Sequence, residues 1–100
     1  WLRGVGYGGN QFLCAGEDGF MARSEDGESW QTVRSGTTAH LNKVSWVNGS
    51  FWVLGDQGTV LTNNSEMDFL RVNVGVTNTL FTISANGNEV VIAGDSAVVL

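Results

Sequence analysis

The stretch Ser24-Glu25-Asp26-Gly27-Glu28-Ser29-Trp30 decides how the chain is read. Asp26-Gly27 marks a tight turn: glycine enters positive φ without a Cβ penalty, and the short Ser24 and Asp26 side chains accept hydrogen bonds from the turn's own backbone. The segments Gly19–Ser24 ahead of it and Ser29–Ser35 behind it read as short strands. Trp30 opens the second of these, and is expected to be a buried anchor whose truncation to Ala costs about 3–5 kcal/mol.

Working outward, the surrounding pattern returns at a spacing of 39 residues. Leu2 is repeated as Leu41 and Leu80, Val5 as Val44 and Ile83, Phe12 as Phe51 and Val90, and Gly16 as Gly55 and Gly94. Gly19 with Gly58, Met21 with Val60, Trp30 with Phe69, Val33 with Val72 and Gly36 with Gly75 follow the same offset. The first unit reads as strands Leu2–Gly8, Gln11–Gly16, Gly19–Ser24 and Ser29–Ser35, and the second as Leu41–Val47, Ser50–Gly55, Gly58–Asn63 and Phe69–Val74. Asn48-Gly49 is a strong hairpin signal between the first two strands of the second unit. The third unit supplies Leu80–Ala85, Glu89–Gly94 and Ala97–Leu100.

A repeat near 40 residues with four short antiparallel strands is the signature of a propeller blade. The expected fold is therefore all-β: a single partial β-propeller domain over residues 1–100, with blades at about 2–40, 41–79 and 80–100. Two blades are whole and the third has three strands. A small β-sandwich also suits this many strands, but its two sheets have no reason to share one pattern. A propeller needs about four blades to close, so further blades from a longer chain, or a homo-oligomer, are expected to complete the ring. The chain opens on Trp1 and stops inside the apolar run Val98-Val99-Leu100, which suggests a piece of something longer. An uncovered edge strand in the third blade would invite aggregation.

Alternating strands sort the turns onto two edges. The Ser24–Ser29 turn falls with Gly8-Gly9-Asn10, Asn48-Gly49 and Asn86-Gly87. The opposite edge carries Glu17-Asp18, Asp56-Gln57 and Asp95-Ser96, with the connecting segments 35–40 and 74–79.

The Ser24–Trp30 motif, set in this repeat, resembles the Asp-box of the bacterial-neuraminidase repeat family. That family includes sialidases, photosystem II assembly and stability factors, sortilin-type receptors and many secreted or phage-borne propellers. The resemblance covers nearly the whole chain as a 39-residue pattern, but the motif is well formed once. Its second copy, Asn63-Asn64-Ser65-Glu66-Met67-Asp68-Phe69, lacks the turn glycine and has Phe for Trp. The resemblance implies that Ser24, Asp26, Gly27 and Trp30 are a structural turn facing away from the ligand. It also implies an extracellular, periplasmic or lumenal location. Sialidases of the family use an arginine triad, a Tyr/Glu nucleophile pair and an acidic Asp. Here Arg3, Arg23, Arg34 and Arg71 fall at unrelated phases of the repeat, Tyr7 is the one tyrosine, and an Arg-Ile-Pro motif is impossible without proline.

Composition narrows the function classes. Fourteen Gly, ten aromatics and no Pro favour strands and tight turns. A net charge of −5 with five dispersed Lys and Arg argues against a nucleic-acid partner and tilts toward neutral or basic ones. No apolar run approaches the ~20 residues of a membrane span, and no signal peptide is visible. Cys14 is the single cysteine, so no intrachain disulfide forms, and its run Phe12-Leu13-Cys14-Ala15 reads as a buried, inert thiol. Asn48-Gly49-Ser50 and Asn63-Asn64-Ser65 fit the glycosylation acceptor pattern, which matters only in a eukaryotic secretory host.

The sharper binding candidates are Glu17, Asp56 and Asp95, one acid per unit on the edge where propeller ligands usually bind. Such acids suit sugar hydroxyls, a cation or a basic partner. The competing reading has each carboxylate accepting hydrogen bonds from the N–H groups of its own turn. Thr38 and His40 lie in the inter-blade segment, and His40 has no Cys, Asp or Glu at metal-ligand spacing. Trp52 or Phe51 must face the far side of its sheet, and Trp52 is a candidate for sugar stacking or for blade contact. No catalytic residue, metal or cofactor is expected. The chain thus reads as a non-catalytic propeller module that binds a protein or a glycan. The alternatives are part of a sialidase-type glycoside hydrolase with its catalytic residues elsewhere, or a self-associating half-propeller.

Overall fold

The computed structural model describes residues 1–63, 69–72, 79–86, 89–94 and 97–99. It is all-β, with eleven strands among the described residues, in three antiparallel sheets. Sheet 1 contains β1 (Leu2–Gly8), β2 (Gln11–Gly16), β3 (Met21–Ser24) and β4 (Gln31–Val33) in spatial order 1-2-3-4. Sheet 2 repeats that order with β5 (Leu41–Val47), β6 (Ser50–Gly55), β7 (Val60–Asn63) and β8 (Phe69–Arg71). Sheet 3 comprises β9 (Leu80–Asn86), β10 (Glu89–Gly94) and β11 (Ala97–Val99). Among the described residues no helix is long and apolar enough to cross a membrane.

The hairpins follow from their turn residues. Gly9 and Asn10 have φ of 57° and 64°, and Asn48 and Gly49 have 51° and 82°. Two consecutive positive φ values are the requirement of a type I′ turn, whose twist matches the strands it joins. β11 begins at Ala97 as read, whereas in sheets 1 and 2 the third strand begins two residues later than the pattern predicts. In their place Glu17–Gly19 and Asp56–Gly58 each make a short 3₁₀ turn. The fourth strand of sheet 1 is trimmed for a different reason: the Ser29 N–H donates to Asp26 Oδ1 and the Ser35 hydroxyl to Gly19 O, so neither end is free for the ladder.

All three sheets carry an irregularity at one repeat position. Leu2 pairs with Gly16 and Gly4 with Ala15, so Arg3 is the extra residue of a β-bulge. Asn42 is skipped in the same way between Leu41 and Lys43, and residue 81 between Leu80 and Thr82. A bulge re-aims the side chain it carries, which decides the site described below.

The sheets stack through their first strands, β1 against β5 and β5 against β9. Between sheets 1 and 2 lie Leu13, Ala15, Met21, Leu41, Val44, Phe51, Val53 and Leu61, all buried. Between sheets 2 and 3 lie Leu54, Val60, Leu80 and Ile92, with Trp52 and Ile83 packed against them. The Phe51/Trp52 alternation therefore serves both faces of sheet 2. Close approach of β1 to β5 depends on side-chain absence: a Cβ on Gly6 would sit 2.9 Å from Val44 Cγ1, and one on Gly8 would run into the Trp46 indole.

Trp30 departs from expectation. It is 42% exposed, while its repeat counterpart Phe69 is partly buried against the first cluster. The difference arises because sheet 2 has sheet 1 against that face, whereas nothing described covers the same face of sheet 1.

Candidate functional site

The Ser24–Trp30 turn satisfies itself. Ser24, 3% exposed, accepts from the N–H of Asp26 and of Gly27 (3.3 and 2.8 Å) and donates its hydroxyl to Asp26 Oδ1 at 3.0 Å. Asp26 Oδ1 also accepts from the N–H of Glu28 and Ser29 at 2.8 and 2.9 Å. Gly27 takes φ of 81°, and the Trp30 indole N–H donates to its carbonyl at 3.2 Å. The N–H donors of Ser29 and Glu28, followed by the Ser24 hydroxyl, hold the Asp26 carboxyl below the usual aspartate range. Because the folded value is lowered, the stabilisation is full above the ordinary range near about pH 4 and fades as pH falls through the folded value. Asp26→Asn should therefore lower the melting temperature at neutral pH and flatten the acid limb of a melting-temperature-against-pH series, relative to the parent chain.

The opposite edge collects the acids. The Glu17 and Asp56 backbone N–H groups are anchored by carbonyls one repeat apart, those of Trp1 (2.7 Å) and His40 (2.9 Å). The Asp56 carboxylate is met by the Asn42 side chain, and that of Glu17 by Arg3 beside the Trp1 ammonium. The re-aimed bulge residues do this. Arg3 lies 3.5 Å from Glu17 Oε2 and donates to Asn42 Oδ1 at 2.9 Å. The Asn42 amide then donates to Asp56 Oδ1 at 2.9 Å. A polar chain thus runs from Glu17 through Arg3 and Asn42 to Asp56, crossing from sheet 1 to sheet 2. The Trp1 ammonium, hydrogen-bonded to Glu17 at 2.7 Å, is the main cause of a lowered Glu17 carboxyl, with Arg3 and then His40 adding to it.

His40 lies on the same edge. Its Nδ1 accepts from the Asp18 N–H at 3.0 Å. Ser35 ties the inter-sheet segment to this edge through Gly19 O at 2.7 Å, and exposed Thr38 lines a shallow trough there with Arg34, Gly36 and Thr37. Asp95 lies outside the described residues. Trp52 is elsewhere: it packs against the cluster between sheets 2 and 3.

Arg3 and Asn42 are the residues that sequence reasoning missed. Their signal was the spacing of Leu2 with Val5 and of Leu41 with Val44: in a regular strand residues three apart face opposite sides, so two such apolar pairs in register point to a bulge between them.

The edge offers accepting carboxylates and an imidazole for hydrogen bonds and charge. Among the described residues it holds no nucleophile hydrogen-bonded to a base. The arginines do not converge: Arg23 donates to Gln11 and Gln31 beside the Ser24–Trp30 turn, and Arg71 reaches Gln57 O at 3.5 Å. Tyr7 stacks on Phe12 with ring centroids 4.6 Å apart. Burial pushes the Cys14 thiol up, which keeps it unreactive. Among the described residues no group of His, Cys, Asp and Glu could hold a metal ion. Compared with known proteins, the chain matches no family model, no curated protein sequence and no solved structure.

Proposed function

We propose that the chain forms consecutive blades of an Asp-box β-propeller and serves as a non-catalytic binding module for a basic protein surface. The observation that carries this is the Glu17–Arg3–Asn42–Asp56 chain, which holds repeat-equivalent acids at defined positions on one edge of adjacent sheets. On the other edge Asp26 is consumed by its own turn. The net charge of −5 favours a basic partner. A glycan ligand is the weaker reading, because the candidate stacking ring Trp52 is used in packing between sheets.

The test is binding of a short oligolysine peptide, followed by fluorescence anisotropy at low and high salt. Glu17→Gln, Asp56→Asn and Asp95→Asn together should weaken binding about tenfold, consistent with a few exposed charge pairs of ~0.2–1 kcal/mol each, while the melting temperature barely moves. Unchanged binding with a large loss of stability would leave the acids a purely structural role.

A further inference from the structure

Among the described residues nothing covers one face of sheet 1. Leu2, Val5, Phe20 and Trp30 are 58%, 64%, 45% and 42% exposed, around an open apolar trough of about 630 Å³ floored by Cys14 and Ala22. An apolar surface of this kind marks an interface. The internal repeat shows what belongs on it. One period later the same positions are Leu41, Val44, Thr59 and Phe69, with Val53 and Leu61 as the floor. Five of these six are buried to 4% exposure or less, and Phe69 is packed against them. What covers them is sheet 1, whose first strand offers Gly4, Gly6 and Gly8 as sockets. Val44 fills the space a Gly6 side chain would need, and Trp46 that of Gly8.

We infer that the open face of sheet 1 is the seat of a further 39-residue unit, placed in register ahead of Leu2, whose first strand carries glycine at the positions of Gly4, Gly6 and Gly8. Val5 and Tyr7 are then the knobs that Val44 and Trp46 are in the next interface. The rule visible in the chain is size compensation: the large knob Trp46 meets Gly8. A second copy of this chain would present sheet 3, which by sequence carries Thr82, Ser84 and Asn86, and not glycine, at the Gly4, Gly6 and Gly8 positions. This inference rests on the stacked-sheet arrangement proposed above and not on its ligand, so a failed oligolysine titration leaves it untouched.

The experiment extends the chain at its start by a copy of residues 2–40 joined directly to Leu2, the junction that residues 40 and 41 already make. Cys14 is replaced by Ala in both copies, and Val5→Cys is introduced only in the original unit, where position 5 is 64% exposed. The rate of thiol labelling by a soluble disulfide reagent is then measured. The thiol should react freely in the 100-residue chain and about tenfold or more slowly in the extended one, since reagent reaches it only through local opening. Gly6→Val with Gly8→Val in the added unit should restore fast labelling. Equal rates in the 100-residue and extended chains, or an added unit that contributes no strand signal by circular dichroism, would overturn the inference. A thiol already protected in the 100-residue chain, with a dimer mass by light scattering, would overturn it in favour of a second copy.

Discussion

Phe51→Ala is expected to destabilise the chain by about 3–5 kcal/mol, the usual cost of deleting a fully buried aromatic ring. Phe51 is 1% exposed, lies at the centre of the cluster joining sheets 1 and 2, and meets Trp46 edge-on with centroids 4.8 Å apart. Its loss removes both transfer energy and an aromatic pair, and the surrounding sheets cannot collapse into the gap without moving apart. Urea unfolding followed by circular dichroism measures it. Trp30→Ala is the internal comparison. At 42% exposed, Trp30 should cost only about 1–2 kcal/mol on area grounds, despite its larger ring. Equal losses at the two positions would mean that the face of sheet 1 is covered in solution.

Gly55→Ala should cost about 1–3 kcal/mol from overpacking. The cause is steric rather than conformational, since Gly55 has φ of −153°, which any residue adopts. An added Cβ runs into the His40 carbonyl, a backbone atom that itself accepts from the Asp56 N–H. One methyl group therefore strains the strand entry and loosens the acid-bearing edge together. The same clash recurs at Gly16 against Trp1 O and at Gly94 against Thr79 O. Gly49→Ala is the control: nothing lies near its Cβ, and its φ of 82° leaves only a backbone penalty of about 1 kcal/mol. Thermal melts of the two variants should separate steric from conformational glycines.

Those glycines show how much of the fold was legible. Gly16, Gly55 and Gly94 stand out in the sequence as one repeated position, and the structure supplies the reason: a backbone carbonyl occupies the place of a side chain. First and second strands were readable to the residue in the first two units, and to within one residue in the third, because apolar runs and glycine- or asparagine-bearing turns bound them on both sides. Third and fourth strands were read too long, since the 3₁₀ turns and the Asp26 and Ser35 hydrogen bonds capture backbone groups that local pattern assigns to a ladder. The site was legible in part. Glu17 and Asp56 were found by their repetition, but the Arg3–Asn42 link depends on a bulge that turns one side chain toward the neighbouring sheet. Trp30 was misjudged because burial is decided by what lies opposite, and no sequence window contains that information.

The central claim is that one 39-residue unit is repeated as sheets stacked face to face through their first strands. Nuclear Overhauser contacts test it most directly. The account predicts cross-peaks from the Gly6 α-protons to the Val44 methyls, from the Gly8 α-protons to the Trp46 indole, and from the Trp52 indole to the Ile83 methyls. Strong ladder contacts within each sheet without these three, or contacts placing sheet 1 directly against sheet 3 as in a sandwich, would contradict it.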